Sequence, residues 1–142
     1  MSAVLLDTHA LIWLMNGQRI APAAQVAIAE AQLAGRLFIS AISAWEAGVA
    51  LTKFGNTPDL GGRAADEWFR DALALPGTRI VGITRRIALE ASKVPAAIGS
   101  GDPGDCFLVA TARVRKIPIV TRDRPMIRLA QQRPEYLTVI RC

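Results

Sequence analysis

"AVLLDTHALIWLM" runs from Ala3 to Met15. Its first four residues are an unbroken apolar run, Ala3–Leu6, as expected of a strand buried on both faces within a parallel sheet. Asp7 interrupts the run. The apolar residues then continue at helical spacing until Gly17. One polar residue at a strand-to-helix junction sets the pattern for the rest of the chain.

The alternation recurs. Pro22 to Ala34 is alanine-rich with helical spacing, and Gly35 closes it. "RLFIS" (Arg36–Ser40) reads as a second strand. Ser43 reads as the N-cap of the next helix, with Glu46 completing a capping box and Gly55 ending the helix. Ala64 to Leu75 is an amphipathic helix, "RIVGI" (Arg79–Ile83) a third strand, and Thr84 to Val94 a helix, followed by the loop "PAAIGSGDPGD". Asp105 to Lys116 is helical. When Pro103 is taken as its first residue, Asp102 becomes the N-cap and Asp105 the third helical residue. "IPIVT" (Ile117–Thr121), a short helix over Pro125–Gln132 and "YLTVI" (Tyr136–Ile140) complete the chain. Five strands alternating with helices favour an α/β sandwich around a mainly parallel sheet.

The 142 residues have the length of a single domain, 1–142, and 51% of them are apolar, which excludes a disordered chain. No apolar run reaches the roughly 18 residues that cross a bilayer. "MSAVLLDTHALIWLMNG" lacks the basic start of a signal peptide and is broken by Asp7. Cys106 lies in a core helix and Cys142 is the last residue, so no structural disulfide is expected, which fits a cytoplasmic setting. The net charge of +5 is unevenly spread. Residues 1–71 carry five basic and seven acidic side chains, whereas residues 72–142 carry twelve and five. A basic half points to a polyanion such as nucleic acid.

In doubly wound sheets, ligands gather beyond the carboxyl ends of the strands. Asp7 follows the first strand and Asp123 the fourth. Asp102 and Asp105 open the helix that leads into the fourth strand, and Glu46 lies early in the helix after the second. Each acid has an ordinary reading as a cap or turn residue, but they share one location. Gathered carboxylates repel one another, and a divalent cation relieves the conflict. Oxygen-only ligands select Mg²⁺ or Mn²⁺, and the chain has one His and no Cys/His cluster for zinc.

"LLDTHALIW", "FISAISAWEAGV", "DPGDCFLVATA" and "IVTRD" together resemble the PIN-domain family, especially VapC-type toxins of toxin–antitoxin pairs. The resemblance implies a three-layer α/β/α sandwich and metal-dependent endoribonuclease activity. It implies metal ligands at Asp7, Glu46, Asp105 and Asp123, with Thr8 and Thr121 as polar neighbours. It also implies a homodimer inhibited by a cognate antitoxin. Many relatives carry a lysine four residues after the glutamate. Here that position is Ala50, the nearest lysine is Lys53, and "GNTPDLGG" lacks the usual basic lead into the next helix.

The expected function is therefore RNA cleavage by metal-activated water. A phosphohydrolase with an aspartate nucleophile would use a DxD pair, which "DTH" does not supply. A non-catalytic RNA- or partner-binding domain is disfavoured by the complete set of acids. His9 reads as a packing or capping residue rather than a general base. Trp13 and Trp45 read as core or protein-interface residues before base-stacking ones. Arg122, Arg124 and Arg128 flank Asp123 and suit phosphate contact. No phosphate-loop motif is present. "LIWLM" and "AWEAGVAL" hold more apolar surface than one helix face buries, pointing to self-association and a protein partner.

Overall fold

The computed structural model describes residues 2–52, 59–99 and 101–142; Lys53, Gly55 and Ser100 lie outside them. The described elements run β1 (Val4–Leu6), α1 (Thr8–Met15), α2 (Pro22–Ala34), β2 (Leu37–Ser40), α3 (Ala41–Leu51), α4 (Ala65–Leu73), β3 (Thr78–Val81), α5 (Arg85–Ala91), α6 (Val94–Ile98), α7 (Pro103–Arg115), β4 (Ile119–Thr121), α8 (Arg124–Gln132) and β5 (Val139–Arg141). The five strands form one sheet in the order β3-β2-β1-β4-β5. Every pairing is parallel, with Leu5 opposite both Phe38 and Ile119.

Strand alternation divides the core into two layers. Val4, Leu6, Leu37, Ile39 and Val120 face α1, α2 and α4, where Leu11, Ile28 and Trp68 meet them. Leu5, Phe38 and Ile119 face the opposite way, toward Ile87 of α5, Val109 of α7 and Met126 of α8. The result is the three-layer α/β/α sandwich. Leu5, Leu6, Leu37, Ile39 and Ile119 are fully buried, and each contributes about 1.5–3 kcal/mol relative to exposure.

Among the local readings that need correction, the fifth strand covers Val139–Arg141 and not Tyr136–Ile140. The helix after β2 starts at Ala41 with Ser40 as its cap, the Oγ accepting from the Ile42 N–H at 3.0 Å. Ser43 is therefore inside the first turn, and Glu46 lies in the second turn rather than in a capping box. The segment expected as loop before "GSGDPGD" winds into α6, with Pro95 in its first turn, where the missing N–H costs nothing. The fourth strand starts at Ile119 because Pro118 has no N–H to offer the ladder; its carbonyl instead accepts from Leu5 N at 2.9 Å. The surplus of "LIWLM" is absorbed by the core: Leu11 and Ile12 are buried, and Trp13, Leu14 and Met15 pack against the same layer. In the second segment Trp45 and Leu51 stay exposed.

Candidate active site

The strand order reverses between β1 and β4, which run side by side with their carboxyl ends together. Asp7 leaves β1 and caps α1, its Oδ1 accepting from Ala10 N at 2.7 Å. Asp123 follows β4 and caps α8, its Oδ2 accepting from Met126 N at 3.0 Å. Asp102 caps α7, its Oδ2 accepting from Asp105 N at 3.2 Å. Asp105 is then the third residue of α7, as expected. So the capping readings are correct for Asp7 and Asp102, while Asp123, whose ordinary reading was a turn residue, is a cap as well. A strand that turns at once into a helix presents its N-cap side chain at that junction.

Asp7, Glu46, Asp102, Asp105 and Asp123 all line one cavity of about 350 Å³, together with Thr8, His9, Trp13, Leu108 and Arg122. The four acids expected from the sequence are therefore brought together, with Asp102 beside them. Arg122 reaches the cavity wall. Arg124 and Arg128 do not line it and stand exposed.

Two threonines position the innermost carboxylates. Thr121 Oγ1 donates to Asp7 Oδ2 in a short hydrogen bond and also accepts from Asp123 N at 2.9 Å. Thr8 Oγ1 donates to Glu46 Oε1 at 2.5 Å. That spends the threonine's one proton, so the 2.9 Å contact between Thr8 Oγ1 and buried Ser43 Oγ has the serine as donor. Gly104, the second residue of α7, is buried against the same glutamate. A Cβ there would fall 2.2 Å from Glu46 Oε2. Sequence reasoning marked Thr8 and Thr121 through the family resemblance. It missed Ser43, mistaken for a cap, and Gly104, whose partner is 58 positions away.

Burial raises the Asp7 carboxyl above its ordinary range, against the lowering effect of the Thr121 and Ala10 hydrogen bonds. Burial likewise raises Glu46, with Thr8 opposing it. Asp105 is pushed up to about 8, first by desolvation and then by the charges of Asp123 and Asp102. The ion pairs Arg63–Asp71, Arg113–Glu90 and Arg133–Glu135 among the described residues do not involve Asp7, Glu46, Asp105 or Asp123. Burial and neighbouring like charges that raise Asp7, Glu46 and Asp105 mark a site arranged for something positive. Among the described residues, no three of these side chains close around one point. The donor chemistry nevertheless fits a hard divalent ion, which keeps several waters and needs only a few protein oxygens.

A profile of the PIN domain matches residues 4–132. The chain belongs to the PIN domain family. The matched span covers all four acids expected as ligands and both positioning threonines. Among solved structures the PIN chain is similar to a DNA-bound VapBC from Salmonella typhimurium, with a TM-score of 0.67 at 15% identity, covering 99% of this chain and 98% of that one. It is also similar to VapBC2 from Rickettsia felis bound to a promoter DNA fragment, at 0.65 and 12%, covering 98% of each chain. A toxin–antitoxin complex from Klebsiella pneumoniae matches at 0.61 and 22%, covering 97% and 96%. At these identities the likeness speaks for the fold. No curated protein matches the sequence.

Proposed function

We propose that this PIN domain is a Mg²⁺- or Mn²⁺-dependent endoribonuclease, the toxin of a toxin–antitoxin pair, acting in the cytoplasm as a homodimer held in check by its antitoxin. The observation that carries the catalytic reading is the meeting of Asp7, Glu46, Asp105 and Asp123 in one cavity, none of them in an ion pair among the described residues. The toxin reading is supported by family membership and by the complexes that share the fold.

Asp7, Glu46, Asp105 and Asp123 would hold the ion. The chemistry such an ion would supply there is acidification of a water and neutralisation of charge on the scissile phosphate. The chain supplies the rest. Thr121 and Thr8 fix the orientations of Asp7 and Glu46, so the carboxylates do not have to be ordered when substrate arrives. Asp105, raised to about 8, holds a proton near neutrality in the metal-free chain, which it would give up on holding a cation. Arg122 is anchored to the carbonyls of Cys142 (2.7 Å) and Arg19 (2.9 Å), which sets a guanidinium at the cavity wall for a phosphate oxygen.

The decisive experiment incubates the purified chain with structured and single-stranded RNA in Mg²⁺, Mn²⁺ or EDTA, beside Asp7→Asn. Cleavage by the wild type in metal alone, abolished in a folded Asp7→Asn protein, is expected. Full cleavage by well-folded Asp7→Asn, or cleavage unaffected by EDTA, would refute the reading.

A further inference from the structure

A second cavity, of about 510 Å³, opens beside the acid cavity and shares Thr8, His9, Trp13, Glu46 and Asp102 with it. Its outer wall is Trp45, whose side chain is half exposed on α3, at 52%. The two tryptophans of this cleft are in different states. The guanidinium of Arg122 sits 3.8 Å from the Trp13 ring and covers it, and His9 lies against the same ring at 5.9 Å. Trp13 is therefore a fixed wall. Trp45 keeps an indole surface exposed. The amides of Asn16 and Gln18 also line the cleft.

We propose that this cleft is a base-binding subsite, in which Trp45 stacks an unpaired nucleobase of the RNA next to the scissile phosphate. The inference rests on the ribonuclease reading and deepens it by assigning the substrate's local form. An exposed aromatic face with amides at its side is the chemistry that receives a splayed base, by stacking and by hydrogen bonds to its edges. The described lining includes Glu46, Asp59 and Asp102 and no Lys or Arg, so it suits a neutral planar group better than a phosphate. The shared wall puts that group directly beside the acids, where the phosphodiester must lie. A base in a duplex cannot reach such a cleft without unstacking, so the subsite selects single-stranded or looped RNA. A basic peptide would also suit the acidic wall, and loss of a protein partner on substitution of Trp45 is the outcome that would assign the cleft to it.

The test compares cleavage of a single-stranded RNA oligonucleotide by wild type, Trp45→Ala and Trp45→Phe in Mn²⁺. A parallel series of oligonucleotides carries one abasic position, scanned across the cut site. Trp45→Ala is expected to raise KM about tenfold or more, the usual effect of losing one stacked base, while kcat changes little. Trp45→Phe should restore most of the loss. One abasic position should weaken wild type to a similar degree and leave Trp45→Ala unaffected. If the wild type cleaves RNA and Trp45→Ala has an unchanged KM, the subsite is wrong while the ribonuclease reading stands. The subsite is equally wrong if Trp45→Ala keeps its RNA kinetics but loses a protein partner, because the cleft is then a protein-docking groove. If the wild type cleaves no RNA in either metal, both readings fall together.

Discussion

The two ends of α7 carry opposite charges, and their surroundings treat those charges differently. Both signs agree with the helix dipole, with Asp105 in the first turn and Arg113 and Arg115 in the last. At the C-terminal end the charge is met. Arg113 Nε donates to Glu90 Oε1 at 2.7 Å, its Nη1 donates to the Tyr136 carbonyl at 2.8 Å, and its guanidinium lies 3.6 Å over the Tyr136 ring. Arg115 lies over Phe38. At the N-terminal end, Asp105 faces Asp123, Asp102 and Glu46, and its carboxyl rises to about 8. One end is satisfied within the chain and serves the fold. The other is left frustrated, which folding alone would not select, and that is where chemistry is expected.

Substitutions at the two ends should therefore separate activity from stability. The largest effect is expected from Asp105→Asn. Cleavage should fall more than about 100-fold, beyond the 10–100-fold cost of losing a group that only orients a ligand. The melting temperature should hold or rise in EDTA, because the folded chain no longer has to hold protonated a carboxyl that the unfolded chain ionises. A variant that melts well below wild type would place Asp105 among the structural residues instead.

Gly104→Ala comes next. The added methyl must displace the end of the Glu46 side chain, which is flexible, and not a backbone atom. Cleavage should drop about 10- to 100-fold, with only a small change in thermal midpoint. An alanine variant of unchanged activity would show that Glu46 can retreat without consequence.

At the opposite end, Arg113→Ala should cost about 2 kcal/mol of stability. The Arg113–Glu90 pair is about a quarter exposed, so its loss lies between that of a surface pair and that of a buried one. Cleavage per folded molecule should be unchanged. Denaturant titration checks the first statement, and activity normalised to folded protein checks the second.

Asp102→Ala removes the cap of α7 and should cost about 1 kcal/mol, leaving measurable cleavage. An inactive but stable variant would promote Asp102 to a ligand.

The last expectation is a pH slope. Because Asp105 is raised from 3.8 to about 8 by folding, the metal-free folded chain holds a proton that the unfolded chain releases. That contribution is full below about pH 4 and is lost as pH rises toward 8. In EDTA the melting temperature should therefore decline from pH 5 to pH 8, and the decline should be shallower in Asp105→Asn. Equal slopes in both proteins would assign the titration elsewhere.

The sequence alone determined which residues become strands and helices and where most acids sit along them. Ala3–Leu6 and Asp7, or Ile117–Thr121 and Asp123, are legible because burial on both faces demands an unbroken apolar run and the turn into a helix demands a cap. These are short-range requirements. Spacing failed at Ser43 because Ser40 and Ser43 are both good caps and Glu46 suits a capping box. The choice fell to Ser40, which ends β2 directly, while Ser43 is buried against Thr8. The strand order, the contact of Gly104 with Glu46, the union of Thr121 with Asp7 and the exposure of Trp45 were decided by the tertiary structure. Each depends on which segments meet across the sheet, and packing between distant elements leaves no periodic trace in any one of them.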